Sequence, residues 1–403
     1  MRAGLDDPPS TPDDGPAAAP AGGPRPVPPA IKGRGTPIRL AHRFSRDERL
    51  SADDGWPQDA EEEGQGQGAA LPPATQVTEE HARSLLSFND SPDIPFDRSI
   101  NPYRGCEHGC IYCYARPTHS YLDLSPGLDF ETRLVAKVNA VDLLRRELAR
   151  PGYRAAPVNI GSITDAYQPI ERRLRLTRGV LELLSACEHP FTLISKSSGV
   201  ERDLDLLAPA AARRQAAVFI SLTSLDTRLS RILEPRAAAP ARRLLTVQRL
   251  AAAGVPVAVN VAPVIPFINE PEIERLVEAA ARAGARGIHW TVLRLPWEVA
   301  PLFRQWLDQH YPDRAQRVMA RIHDLRGGRD NDPRFGSRMK GQGIWAELIA
   351  QRMRRAIARA GLVPAPLELD ASRFRPPPPD AAAPRGRPPA SGTPVPDTQG
   401  RLF

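Results

Sequence analysis

The sequence predicts an α/β protein: a partial or full parallel (β/α) barrel carrying a helical C-terminal extension, with an unfolded tail on either side. Three observations support this. From Ser99 to about Thr291, short β-branched runs alternate with longer amphipathic stretches, the mark of repeated βα units. After residue 300 the pattern turns helical. The 44 prolines and 29 glycines among 403 residues also exceed what folded elements absorb.

Residues 1–80 are Ala, Pro, Gly and acidic runs, which bury too little apolar surface to offset chain entropy, so a disordered arm is predicted. Within it, IKGRGTPIRLAHRF (residues 31–44) is basic with scattered apolar side chains, suited to docking on the folded domain or on an anion. The barrel core is assigned to residues 81–300. Its strands are expected at Val158–Gly161, Thr192–Ser195, Val218–Leu222, Val255–Val261 and Gly287–Val292. Leu174–Cys187, Arg242–Ala253 and Glu272–Ala283 repeat apolar residues at three- and four-residue spacing, as helices packed on a sheet do. Gly254 and Gly284 fall where helix C-caps belong, and Pro256 enforces the first stop.

Residues 301–365 form the basic helical extension. Ile344, Trp345, Leu348, Ile349, Met353 and Ile357 give its last helix a continuous apolar stripe, and RGGRDNDPRFGSRMKGQG before it reads as a polar loop. Residues 302–361 hold thirteen Lys/Arg against six Asp/Glu, which accounts for the whole chain's net charge of +7. Such a segment is either a solvated helical surface or a nucleic-acid footprint. Residues 366–403 are again Pro-rich and expected to be extended. No N-terminal signal pattern and no apolar run of membrane length occurs, which predicts a cytoplasmic protein with no membrane partner.

Four cysteines are present, and three lie within eight positions in NPYRGCEHGCIYCYARPTH. That layout is poor for disulfides and suits a metal site in a reducing compartment. Three thiolates on one tight loop, Cys106, Cys110 and Cys113, can each take one iron of a cubane [4Fe–4S] cluster and leave the fourth iron open to a chelating ligand. A zinc knuckle completed by His108 or His119 is the alternative. Cys187, on a helix before His189 and Pro190, reads as a buried apolar thiol.

The Cys-x3-Cys-x2-Cys spacing resembles that of the radical S-adenosylmethionine (SAM) superfamily. Downstream, TLISKSSGVERDLDLLA, AVFISLTS, ILEP and QRLAAAGVPVAVNVAPVIP follow in the order seen in spore photoproduct lyase and its relatives, so the resemblance runs over residues 99–295. It implies a radical SAM barrel in which SAM chelates the open iron and is cleaved by electron transfer to a 5′-deoxyadenosyl radical, fed by a reductant such as flavodoxin or ferredoxin. Carried over by position, Lys196 and Ser221 would hold the amino-acid and ribose parts of SAM, and Glu234 would shape its pocket. Tyr112 and Tyr114 fall on positions tied to adenine packing and radical relay. Asp165, Tyr167, Gln168 and Glu171, in GSITDAYQPIERRLRLTRG, are placed at the barrel mouth as candidates for SAM or substrate contacts. Ser162 stands where the lyase has its hydrogen-donating cysteine, and a serine O–H is too strong to serve, so the lyase reaction itself is not expected.

The functional reading is therefore a radical SAM enzyme acting on nucleic acid, in repair or modification. The alternatives are the same chemistry on a protein or small molecule, or an iron–sulfur module without turnover. The final Gln399-Gly400-Arg401-Leu402-Phe403 resembles the pentapeptide by which bacterial DNA polymerases and repair proteins engage the sliding clamp, with Gln399, Leu402 and Phe403 as the matching positions.

Overall fold

The structure, a computed structural model, describes residues 29–45, 73–362 and 368–378. The clamp-like residues 399–403 lie outside the described residues. Strands occur at β1 (Gln76–Glu80), β2 (Leu86–Phe88), β3 (Arg98–Ile100), β4 (Tyr103–Arg104), β5 (Arg133–Lys137), β6 (Val158–Ile160), β7 (Phe191–Ser195), β8 (Ala216–Ser221), β9 (Val257–Val264) and β10 (Gly287–Val292). The main sheet has the order β10-β9-β8-β7-β6-β3-β2. All its neighbours pair in parallel except β2, which runs antiparallel to β3.

Side-chain alternation explains why this sheet wraps. One face of β6 to β10 presents Asn159, Thr192, Phe219, Ser221, Asn260 and His289 to a common cavity. The other face presents Val158, Ile160, Leu193, Val218, Ile220 and Val259, all fully buried or nearly so, to the surrounding helices. A parallel strand covered on both sides normally reads as an unbroken apolar run. The polar positions here mark the lumen of a partial barrel.

The expected helices appear as Leu176–Ala186, Pro240–Ala252 and Ile273–Arg282, joined by Ala140–Leu148 and Leu204–Ala212. Gly254 (φ +77°) and Gly284 (φ +93°) take the left-handed conformation just past two helix ends. There the Val255 amide bonds back to the Leu250 carbonyl, satisfying an otherwise orphaned acceptor.

Four expectations need correction. The N-terminal arm is not uniformly unfolded: residues 29–45 lie on the core, with Ile38 and Leu40 against an apolar cluster and Arg43 paired with Glu298 at 3.0 Å. The start of the C-terminal tail also docks, with Phe374 packed edge-on to Tyr153 and His189 and the Arg375 amide donating to the Cys187 carbonyl. The extension holds three helices, Val299–His310, Pro312–Leu325 and Gly343–Arg359, the first break set by Pro312. In the last of these, Ile349, Met353, Ala356 and Ile357 are buried, but Ile344 is 72% exposed and Trp345 and Leu348 also face outward. The apolar stripe is therefore only half core.

The polar loop has a structural job. Between the two edges of the open barrel, residues 331–342 run as a strap. On one side the Val292 amide donates to the Met339 carbonyl, extending the β10 edge, and the buried Arg326 donates to the carbonyls of Val292, Leu293 and Arg338. On the other side Arg338 pairs with Asp93 at 2.6 Å and bonds Ser91, while the Gly336 amide donates to Asp93, all in the β2–β3 connection. Among the described residues no helix is long and apolar enough to cross a membrane.

Candidate functional site: a cysteine loop facing the barrel cavity

The cysteine loop follows β3, the first parallel strand of the main sheet, through the two-residue β4, which belongs to a small second sheet ordered β1-β5-β4. Its shape is set by its own backbone bonds and one arginine. The Cys106 amide donates to the Phe130 carbonyl, and Cys113 bonds back to Cys110. The guanidinium of Arg116, fully buried, donates to the carbonyls of Cys110 (2.9 Å), Gly109 (3.1 Å), Pro126 and Gly127 and to the Glu131 carboxylate. Glu131 in turn accepts the Gly35 amide at 2.9 Å, so the N-terminal arm closes the back of the loop. That approach is close: a methyl group at Gly35 would come within 1.8 Å of the Gly109 carbonyl oxygen.

Cys106, Cys110 and Cys113 all line one cavity of about 400 Å³ inside the barrel. Burial pushes the Cys110 thiol up to about 12 and raises Cys106 well above its ordinary value, so both hold their protons more tightly than a free thiol. Metal binding displaces those protons. Cys187, by contrast, sits in the main apolar core.

The zinc alternative does not fit this arrangement. His119 is fully buried edge-on to Phe130 with Nε2 on the Arg133 carbonyl at 2.9 Å, and burial holds its imidazole down to about 4. His108 faces Asp165 across 3.2 Å. Among the described residues no three His, Cys, Asp or Glu side chains converge as one chelated ion requires. Three thiols spread round a shared cavity suit a cubane, in which each takes a different iron.

Around the cavity the predicted residues divide. Lys196, Ser221 and Asp165 line it, as do Tyr112 and Tyr114. Asp165 accepts from Ser195 Oγ at 2.8 Å, from the Lys196 amide at 2.7 Å and from the Tyr167 amide at 2.9 Å. Burial disfavours its charge, but His108 and the Lys196 amide outweigh that and hold the carboxyl well below the usual range. The Lys196 ammonium is likewise penalised by burial, yet Cys110, Glu234 and Asp165 raise it above its ordinary value.

Glu234 does not line the cavity. It lies behind, pairing with the buried Arg243 and accepting from Thr223 and from the Tyr112 hydroxyl. Burial would raise its carboxyl, but Arg243 and Lys196 bring it down to about 2. The Tyr112 phenol is thus directed away from the lumen. Tyr114 donates to the Ser162 carbonyl, and the Ser162 hydroxyl, on the cavity wall, accepts from Asn101 at 3.1 Å.

Tyr167, Gln168 and Glu171 are not at the mouth. Tyr167 bonds Asp203, Gln168 bonds Gly105, Thr164 and the Glu107 amide, and Glu171 accepts from Tyr103, Thr177 and Arg202. They knit the β6–helix connection to the cysteine loop. Arg116, Asn101, Arg243, Arg294 and Lys340 escaped the sequence reading, and His108 entered it only as a zinc ligand. Arg116, three residues past Cys113, carried the only local hint.

Six of the thirteen Lys/Arg in the basic extension are engaged within the fold. Arg304 pairs with Asp330, Arg321 with Asp324, Arg334 with Asp332, Arg338 with Asp93 and Arg352 with Glu270 and Glu274, while Arg326 is buried. A free phosphate-binding face does not follow from its composition.

Residues 100–280 match the profile of the Radical SAM superfamily. That stretch, which contains the cysteine loop, matches a superfamily whose cofactors are a [4Fe–4S] cluster and SAM. An uncharacterized protein of Mycobacterium tuberculosis is 38% identical over 226 residues, covering 56% of this chain and 66% of that protein. An uncharacterized protein of Methanocaldococcus jannaschii is 24% identical over 214 residues, 53% of this chain and 76% of the other. The chain thus spans just under two thirds of its mycobacterial relative. Among solved structures, a spore photoproduct lyase variant with dinucleoside spore photoproduct superposes with a TM-score of 0.51 at 18% identity, covering 70% of this chain and 79% of that one. Another variant of that lyase, with bound AdoMet and dinucleoside spore photoproduct, gives 0.50 at the same identity. These superpositions establish a shared fold.

Proposed function

We propose that this protein is a radical SAM enzyme acting on nucleic acid, in repair or modification. One observation carries the reading: the cavity faced by Cys106, Cys110, Cys113 and Lys196 continues along the lumen to Asn159, Asn260, Phe219, His289 and Trp290. Amide and aromatic side chains at the closed end of a pocket suit the edges and faces of a nucleobase. The two lyase variants named above are described with dinucleoside spore photoproduct, which agrees with this choice.

In this reading Cys106, Cys110 and Cys113 hold the cluster. When bound and reduced by a flavodoxin or ferredoxin, the cluster with SAM supplies a 5′-deoxyadenosyl radical. Lys196 pairs with the SAM carboxylate and Ser221 contacts its ribose, while Asp165 fixes the strand end that presents Lys196. Tyr114 borders the adenine side, and Glu234 with Arg243 holds Tyr112 in place. Ser162 occupies the wall without the weak S–H of a cysteine, so a product radical is quenched by another donor or the reaction is not a lyase reversal. A clamp-directed peptide at residues 399–403 would suit a DNA substrate, and a fluorescent peptide of the last fifteen residues titrated against purified clamp tests it.

The test of the reading is isotopic. Anaerobic, dithionite-reduced protein is given SAM and deuterated oligonucleotides, and deuterium is sought in 5′-deoxyadenosine. Transfer from a nucleotide is the expected result. Transfer only from a protein or small molecule overturns the nucleic-acid substrate, and SAM bound without any cleavage makes the chain a non-catalytic module.

A further inference from the structure

Besides Lys196, two cations line the cavity, and among the described residues neither forms an ion pair with a carboxylate. Arg294, just beyond β10, lies 5.9 Å from the Tyr114 ring and hydrogen-bonds the Met339 sulfur at 3.7 Å. Its Nε is buried with no hydrogen-bond partner. The nearby carboxylate, Asp93, is already engaged by Arg338 and the Gly336 amide. Lys340, delivered by the strap, stands 3.6 Å over the Trp290 ring and donates to the Trp290 carbonyl. A half-buried guanidinium without a counter-ion is costly, and a site holding two such cations is incomplete until an anion enters it.

We infer that Arg294 and Lys340 form a phosphate subsite that takes a phosphodiester of the substrate and so presents the adjoining nucleotide to the lumen. The inference deepens the nucleic-acid reading and rests on it for the identity of the anion. Arg is suited to the task because its planar fork meets two phosphate oxygens, while Lys acts as a point charge. Burial lowers the affinity of both side chains for protons, the mark of cations kept in a poorly solvated place. Trp290, beneath the Lys340 ammonium, supplies a flat surface at the same point.

The experiment uses the full chain loaded with cluster and SAM. Binding is measured for thymidylyl-thymidine, for its uncharged methylphosphonate analogue and for phenyl phosphate, on the wild type and on Arg294→Gln, Arg294→Lys and Lys340→Gln. The expected outcome is that the charged dinucleotide binds at least about tenfold tighter than the neutral one, a preference that either Gln variant removes and Arg294→Lys partly restores. The cluster spectrum should not change in any variant, nor SAM affinity in Lys340→Gln. If neither dinucleotide binds but phenyl phosphate does, and depends on both side chains, the subsite stands and the nucleic-acid reading falls. Equal binding of charged and neutral dinucleotides, anion binding unaltered in both Gln variants, or no anion binding at all overturns the subsite. Should Arg294→Gln fail to fold, Lys340→Gln carries the same comparison alone.

Discussion

Burial decides the chemistry of single residues in this cavity. With only three cysteines on the wall, Cys106→Ala, Cys110→Ala or Cys113→Ala should each abolish both the [4Fe–4S] absorbance and SAM cleavage of anaerobically prepared protein. Cys187→Ala should leave both intact, because that thiol lies in the core behind the sheet. Lys340 offers a pH signature. Burial brings its ammonium down to about 8, whereas the unfolded lysine titrates higher. Below that pH the folded chain carries a buried charge that costs stability, and the cost is relieved as pH rises through about 8. Binding runs the other way, since only the ammonium attracts phosphate. Around it, Arg294 and Arg338 stay charged, Asp93 is paired with Arg338, and burial with the Lys340 charge lowers the His289 imidazole. Affinity for a charged dinucleotide should therefore fall as pH rises past about 8, and Lys340→Gln should flatten that profile; an unchanged slope in the variant would assign the titration elsewhere.

At the level of elements, the arm 29–45 works as a brace for the cysteine loop. Gly35 approaches Gly109 so closely that Gly35→Ala must displace the arm, and with it the Glu131–Arg116 linkage that fixes four loop carbonyls. The expected outcome is faster loss of cluster absorbance under chelator with the barrel's circular dichroism unchanged; equal loss rates would mean the loop holds its shape unaided. This contact also shows where the sequence was legible. The strands β6 to β10 and their helices were readable because period and caps are local, and β10 was placed to the residue. Three adjacent thiols were readable for the same reason. The arm's average composition pointed to disorder, while its basic segment 31–44, read as suited to docking, does lie on the core. Tyr167, Gln168 and Glu171 were assigned to the mouth because their residue types suit it, but three residues of chain direction turn them into the scaffold. The stripe that begins with Ile344, Trp345 and Leu348 had helical period, yet these three face outward, Trp345 under the Arg321 guanidinium, since periodicity marks a face and says nothing of what lies opposite.

For the whole molecule, the open barrel is closed by side chains rather than by a strand. The sheet ends at β10 on one edge and β2 on the other, and the strap 331–342 ties one to the other through a backbone bond at Val292 and the buried Arg338–Asp93 pair. Arg338 is 4% exposed, so removing one member of the pair strands the other charge away from water. Breaking a buried pair in this way costs roughly 3–5 kcal/mol. Asp93→Ala should cost as much as Arg338→Ala, and the double variant less than the sum, because the two act as one unit. Local release of the strap also has a spatial signature that general destabilisation lacks. Amide hydrogen exchange should rise together at Val292, at Gly336 and in the β2–β3 connection, while β7 and β8 in the middle of the sheet keep their protection. Since the strap carries Lys340, the same variants should weaken binding of a charged dinucleotide more than binding of SAM. Uniform loss of protection across the sheet, or equal weakening of both ligands, would show that the strap is part of the core fold and not a closure set across its mouth.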